Sequence, residues 1–211
     1  MDFHFSQEEQ NLLDQIHDFA VRDVAPLAAE LDREERFPAE ALQKLRQMQM
    51  MGVCYPKEVG GRGCSYLVYI AMVEELAKYC AATSIMFAAH HSLGAFALSA
   101  LGTPAQKEKY LRPLVTGEKL GAFAATEPGA GTDLGSQQTR AEDKGDHWLL
   151  NGSKIFITNG FYADIYFVSA VTDPSQKSHG ISAFIVEKGT PGFTFGKKEE
   201  KIGIRGSAPY E

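Results

Sequence analysis

The chain has 211 residues, of which 44% are hydrophobic, 23% charged and 10% aromatic, enough apolar material to bury a core in one large or two small domains. Its 27 acidic and 21 basic residues give a formal net charge of −6, with no basic cluster, which argues against a nucleic-acid partner. No apolar run is expected to span a membrane, because the longest candidate, 85–101, contains His90, His91 and Gly94.

From Met1 to His4 there is no cationic stretch leading into an apolar one, and Glu8, Glu9 and Asp14 come too early for a transit peptide. Cys54, Cys64 and Cys80 are an odd number without a C-x-x-C pair, so they read as structural thiols of a reducing compartment, and a cytoplasmic location is expected. The six histidines are scattered, none at i, i+4 or at metal-ligand spacing from a cysteine, and no metal site is expected.

The first half reads as successive helices. Ser6 and Glu9 form a capping-box pattern, followed at helical spacing by Leu12, Leu13, Ile16, Phe19 and Ala20. Pro38 fits the first position of a second helix bearing Leu42, Leu45 and Met48, with Gly52 at its C-terminal end. The glycines of 57–63 mark a loop, after which Ser65 opens a third helix carrying Tyr69, Met72, Val73 and Leu76. A fourth, over 84–101, is apolar almost all round and should be buried. Gly102, Thr103 and Pro104 end it and start a fifth that runs to Gly117.

Beyond Gly117 the apolar period falls from 3.6 to 2. Lys144-Gly145-Asp146 reads as a hairpin turn between strands at 139–142 and 147–150. Asn151-Gly152 is a second turn, leading into Ile155-Phe156-Ile157, and 165–171 and 181–186 are further β-rich runs around Asp173-Pro174-Ser175. Helices followed by strands, without alternation, imply an all-α domain and then an antiparallel β domain.

The stretch Thr126-Glu127-Pro128-Gly129-Ala130-Gly131-Thr132-Asp133-Leu134-Gly135-Ser136 is rich in glycine but is not a dinucleotide fingerprint. Its third glycine falls one position late, and a strand follows where that motif needs a helix. What remains is a tight loop whose small residues let a ligand approach and whose N–H groups can face an electron-rich edge, or else an ordinary turn between strands. In 154–160, Phe156 and Thr158 lie two residues apart and so on one face of an extended chain. A ring beside a hydroxyl suits a flat heteroaromatic ligand, although Phe156 by itself reads more readily as a core side chain.

Together these segments resemble the acyl-CoA dehydrogenase family. The stretch 123–133 is similar to its signature, and 151–160 to its second flavin-contacting block. Further similarity lies in 56–61, 74–76, 183–187 and 201–207, so the resemblance covers essentially the whole chain, and 135–139 with 180–198 look most like bacterial short-chain, butyryl-type enzymes. It implies an α+β fold: an N-terminal all-α helical domain over 1–119, then an antiparallel β-barrel-like domain over 120–211 that is apparently cut short.

The activity implied is FAD-dependent oxidation of a short-chain acyl-CoA to the trans-2-enoyl-CoA, in which a glutamate removes the α-proton and the β-hydrogen passes to the flavin. By the same resemblance Phe123, Ala125, Thr126, Gly131, Thr132, Phe156, Ile157 and Thr158 would line the flavin, with Thr158 near its N5 edge. Thr132, His90 and His91 would face acyl-CoA, with helix packing the plain alternative for the two histidines. Ala125 stands where the family often has a branched aliphatic residue, and Phe156 where many members have tryptophan.

Implied partners are the acyl-CoA substrate, an electron-transfer flavoprotein as acceptor and, in the intact enzyme, a homotetramer. Nothing in the sequence corresponds to the family's C-terminal helical domain, which supplies the catalytic glutamate, and Glu127, inside the flavin loop, is not a substitute. The chain is therefore expected to be an inactive fragment with no catalytic residue of its own. The alternatives are a non-catalytic flavin- or acyl-CoA-binding module completed by another chain, and an α+β structural protein whose glycine loop is only a turn.

Overall fold

A computed structural model describes residues 4–211; Met1, Asp2 and Phe3, where the reading of the N-terminus starts, lie outside the described residues. Helix α1 (Gln7–Phe19) opens with the expected reciprocal cap: the Ser6 hydroxyl accepts from the Glu9 N–H at 3.2 Å, and the Glu9 carboxylate accepts from the Ser6 N–H at 2.9 Å. The helix does not stop near Ala20. It widens into an i→i+5 turn, Ala20–Val24, and continues as α2 (Ala25–Arg33). Pro26 cannot donate to the preceding turn, and the wider turn accommodates its ring. The same arrangement precedes Pro113, where Lys107–Leu111 is wide and α8 (Arg112–Val115) follows.

Helix α3 (Ala39–Gln47) begins one residue later than expected, since Pro38 is its N-cap and not its first turn. Gln49, with φ 55°, takes the left-handed position after it, so Gly52 is not the helix-ending glycine. Gly52 serves packing instead, because a Cβ there would lie 2.4 Å from Val115 Cγ1. Ser65 caps α4 (Tyr66–Tyr79) as expected, accepting from the Val68 N–H. Helix α5 (Ala81–Ala89) starts ahead of Ser84 and passes through a wide turn, His90–Ala95, into α6 (Phe96–Leu101).

The resulting 21-residue stretch, Ala81–Leu101, has a mean hydropathy of 1.3 and the length of a membrane-crossing helix; His90, His91 and Gly94 do not interrupt it, contrary to expectation. Half of it is buried inside the protein, with Met86, Phe87, His90 and His91 all enclosed, which is the behaviour of a core helix. Burial all round is also corrected, since Leu93, Phe96 and Leu101 are exposed. Thr103 caps α7 (Pro104–Gln106) in a second reciprocal box with Gln106, as the Thr-Pro start suggests.

The second half forms a five-stranded mixed sheet, not the antiparallel barrel-like domain expected, and the sheet is not closed. Its strands are β1 (Gly121–Ala124), β2 (Arg140–Asp143), β3 (Trp148–Asn151), β4 (Ile165–Val171) and β5 (Ile181–Glu187). β2 and β3 make the expected hairpin around Gly145, whose φ is 93°. β4 is central. It pairs antiparallel with β5 along its whole length, and its other edge is shared by parallel β1, with Gly121 opposite Ile165, and by β2, with Arg140 opposite Val171. The β2–β3 hairpin lies within the long connection from β1 to β4, which gives the chain room for the crossover that parallel pairing requires.

All seven residues of β4 are buried because both faces are covered. Ile165 and Phe167 pack on Ala95, Leu98, Leu111, Leu114 and Val115 of the helices, while Tyr166 and Val168 pack on Ala122, Ala124, Ile157 and Ala163. A larger core, with Ile16, Phe19, Leu45, Met72, Leu76 and Phe87, fills the helical layer. The expected strand at Ile155-Phe156-Ile157 is absent: Phe156 has φ 60° and Asn159 φ 65°, and only Ile157 makes an isolated bridge, to Tyr210.

Candidate functional site

The glycine-rich loop leaves the end of β1 and folds back at once, Glu127 and Ala130 bonding through both N–H···O pairs at 2.9 and 3.1 Å. A Cβ built on Gly129 or Gly131 meets no described atom of the chain within 4 Å, and neither residue has a positive φ. Neither packing within the chain nor backbone conformation calls for glycine there, so the open face of this loop has room for a ligand. Thr132, next along, is exposed.

This loop is joined to the 154–158 segment. The Ile155 N–H donates to the Thr126 carbonyl at 2.8 Å, and Lys154 Nζ donates to the Ala125 carbonyl at 3.1 Å. Lys154 also reaches Glu127 Oε1 at 2.8 Å, Gln137 Oε1 at 3.0 Å and Ser169 Oγ at 3.3 Å, with its side chain 8% and that of Glu127 6% exposed. The Glu127 carboxylate additionally accepts from the backbone N–H groups of Gln138 and Thr139. Burial pushes this carboxyl upward, but those two N–H groups and the Lys154 ammonium outweigh it and hold Glu127 down at about 2. Burial lowers Lys154, and its ion pair with Glu127 opposes that shift. A carboxylate so committed is a poor proton acceptor, in keeping with the expectation that Glu127 is not a base.

Past Lys154 the chain turns at Phe156, a residue 57% exposed. Phe156 and Thr158 line one cleft of about 350 Å³, with Ile85 of α5 and the segment 199–209 opposite. They share this face through the left-handed turn at Phe156 and not through extended alternation. Ile157 points the other way, buried in the wall of a second cavity of about 930 Å³ between β3, β5 and the 190–196 loop. Ala125 is buried and Thr126 half-buried beside Lys154 and Ile155. Phe123 packs toward the helices with Leu111 and Leu114.

His90 and His91 are fully enclosed and line neither of these cavities. His90 Nε2 lies 3.2 Å from the Met51 carbonyl and 3.1 Å from that of Leu114, and Nδ1 accepts from the Gly121 N–H at 3.1 Å, so the ring is neutral with its proton on Nε2. Burial pushes it down to about 3. His91 Nδ1 donates to the Phe87 carbonyl, Nε2 has no partner, and burial lowers the ring to about 4.

Sequence reasoning missed three contributors to the site: Lys154 as its organiser, Ile85, and the segment from Glu199 to Pro209. That segment is tied to α2 by Arg205, which donates to Asp32 from its backbone N–H at 3.0 Å and from its guanidinium at 3.1 and 2.8 Å. The lysine–glutamate partnership bridges 27 positions, and no local pattern reports it.

A helical layer on a β4-centred sheet carries a glycine loop, which lines neither cavity but is bonded to the segment whose aromatic turn borders the first cleft, and this arrangement points to a known flavoenzyme family. Residues 6–118 match the acyl-CoA dehydrogenase N-terminal domain and residues 122–211 the acyl-CoA dehydrogenase middle domain, and the chain belongs to the acyl-CoA dehydrogenase family. A short-chain specific acyl-CoA dehydrogenase of Clostridium acetobutylicum is 50% identical over 211 residues, which are 100% of this chain and 56% of that protein. The structure of butyryl-CoA dehydrogenase from Megasphaera elsdenii is 48% identical with a TM-score of 0.96, covering 100% of this chain and 56% of that one. A chain in a structure described as the electron transferring flavoprotein of Acidaminococcus fermentans is 47% identical, with a TM-score of 0.96 and coverage of 100% and 55%. The chain thus spans little more than half the length of these three relatives.

Proposed function

We propose that this chain forms the flavin- and thioester-facing walls of an oxidoreductase that converts short-chain acyl-CoA to trans-2-enoyl-CoA. Members of the family bind FAD, and the residues present suit a flat heteroaromatic ring. Gly129 and Gly131 leave an open face on the loop, and Phe156 offers a ring next to the Thr158 hydroxyl. Bound there, FAD would supply the two-electron acceptor for oxidation between the α and β carbons of the thioester.

The chain's own residues do the holding. Ala125, Thr126, Gly131, Thr132, Phe156 and Thr158 are assigned to the cofactor, with Thr132 also beside the substrate; Phe123, packed toward the helices, and Ile157, in the wall of the second cavity, are assigned to it by the resemblance alone. Phe156 provides a stacking face and Thr158 a hydrogen bond at the ring's rim. His90 and His91 act from inside the core, His90 by fixing the helix against β1. The observation that carries the reading is the direct bond between the two segments, Ile155 N–H to the Thr126 carbonyl at 2.8 Å.

Proton abstraction needs a carboxylate that is free to accept, and Glu127 is not. By the resemblance the chain alone is assigned no catalytic base and no turnover. Short-chain specificity and an electron-transfer flavoprotein as acceptor follow from the same reading, supported by the names of the relatives; a cytoplasmic location is proposed from the three free thiols, and a homotetrameric parent from the resemblance alone.

The test is to assay FAD uptake and butyryl-CoA oxidation by the 211-residue chain and by the chain fused to the remaining part of the Megasphaera relative. The expected result is turnover by the flavin-loaded fusion only. Turnover by the chain alone would overturn the assignment of the base, and a folded fusion with neither flavin nor activity would overturn the reading as a whole.

A further inference from the structure

We infer that Lys154 and Glu127 are positioning residues, a buried ion pair that sets the distance between the glycine-rich loop and the Phe156–Thr158 wall. The inference rests on the flavin reading above and adds residues to which that reading gives no role. Each partner grips several parts of the site. Glu127 sits in the fold-back of the loop, and its carboxylate takes the N–H groups of Gln138 and Thr139, so it closes the loop on itself from 127 to 139. Lys154, two residues before Phe156, holds the Ala125 carbonyl at the loop's start, the Gln137 amide near its end and Ser169 in the middle of β4. Ser169 also donates to Gln137 at 2.8 Å, which closes the network through the central strand.

An ion pair this deep is not an economical way to stabilise a fold. Desolvating both charges offsets most of their attraction, and apolar residues of similar volume often do as well. What it gives is geometry, because a satisfied buried network admits few arrangements. The loop and the turn at Phe156 are both irregular backbone, with little regular hydrogen bonding of their own to fix them, and the pair ties both to the most buried strand of the sheet. A site that must present two separate segments to one rigid ring needs such a tie.

The test uses the full chain with Trp148, its only tryptophan, changed to Phe and position 156 changed to Trp as a reporter. Glu127→Gln and Lys154→Met are compared with Lys154→Arg and Glu127→Asp, which keep both charges. Loss of charge should increase acrylamide quenching at position 156 while the helical circular dichroism is retained. It should also weaken FAD binding about tenfold, with Lys154→Arg recovering both signals. If Lys154→Met does not fold, Glu127→Gln and the two charge-keeping variants still carry the comparison. Unchanged quenching and affinity in the charge-loss variants, even with a lower melting temperature, would make the pair merely stabilising and overturn the inference. If the wild-type chain alone takes up no FAD, affinity is read in the fusion described above, where absence of FAD would count against the flavin reading, while the quenching series still decides the positioning role.

Discussion

Gly94 and Gly121 meet backbone to backbone: a Cβ on Gly94 would lie 2.8 Å from the Gly121 Cα, and one on Gly121 would lie 2.9 Å from the Gly94 Cα. Neither has a positive φ, so close approach and not backbone conformation selects glycine at both positions. The contact brings the wide turn His90–Ala95 onto β1, where the Gly121 N–H donates to His90 Nδ1. Helical layer and sheet are joined there.

Gly94→Ala should therefore act as an overpacking change and destabilise the chain by about 1–3 kcal/mol. For a chain of this size each kcal/mol lowers the melting temperature by about 2–4 °C. Thermal unfolding followed by circular dichroism reads the shift, and an unchanged midpoint would mean that helix and strand can part without loss.

His91 offers a contrast. Its Nε2 is buried without a partner, and its ring lies among Tyr69 and Phe87, with centroids 5.0 and 4.2 Å away. His91→Phe removes that unsatisfied atom and keeps an aromatic ring, and this gain offsets the loss of the Nδ1–H bond to the Phe87 carbonyl. His91→Phe should leave the urea midpoint nearly unchanged at neutral pH. The sign of the pH dependence follows from burial, which places His90 at about 3 and His91 at about 4, below the ordinary 6.5. The unfolded chain takes up their protons first, so the two histidines' contribution is constant above 6.5 and falls progressively as pH drops from there toward 4 and then 3. Urea midpoints for wild type should decline over that window, and His91→Phe should decline less. Parallel curves would remove His91 as a source of acid sensitivity.

Local signals were legible in the sequence and long-range ones were not. The cap at Ser6, the helix starts at Ser65 and at Thr103-Pro104, and the hairpin at Gly145 depend on residues within a few positions of one another and are legible in the sequence, although the Thr103–Gln106 box itself is not anticipated. Strand β1 escaped because Gly-Ala-Phe-Ala, covered on both sides, shows no alternation, and its parallel partner lies 44 residues away, Gly121 opposite Ile165. The helix beyond Ala20 was hidden by Pro26, which a widened turn accommodates. At the candidate site, Phe156 and Thr158 were expected on one face for the wrong reason: the face exists, but a left-handed phenylalanine makes it, and no propensity anticipates that conformation.

The cleft wall opposite Phe156 depends on a surface clamp. Arg205 binds Asp32 with three hydrogen bonds, and those bonds hold the Asp32 carboxyl below its usual range. Both side chains are partly open to water, so the pair adds little to global stability. Its effect should be local. Asp32→Asn is expected to leave the unfolding midpoint nearly unchanged and to speed amide hydrogen exchange across 199–207, without changing exchange in β4. Uniform acceleration throughout the chain, or none in 199–207, would show that the segment is held by something else.

Phe156 itself separates strain from ligand contact. A bulky residue in the left-handed region stores about 1–3 kcal/mol, and the exposed ring recovers little of that by packing. Glycine removes the strain but adds freedom to the unfolded chain worth about 0.5–1 kcal/mol, so Phe156→Gly should melt at the same temperature or slightly higher. Phe156→Ala keeps the strain and loses the ring, and should be less stable than Phe156→Gly. Both should bind FAD about tenfold more weakly, a loss of roughly 1.4 kcal/mol. If alanine proves more stable than glycine, position 156 is not strained. If affinity survives in both variants, the exposed ring does not face the cofactor, and the left-handed turn has no role in presenting it.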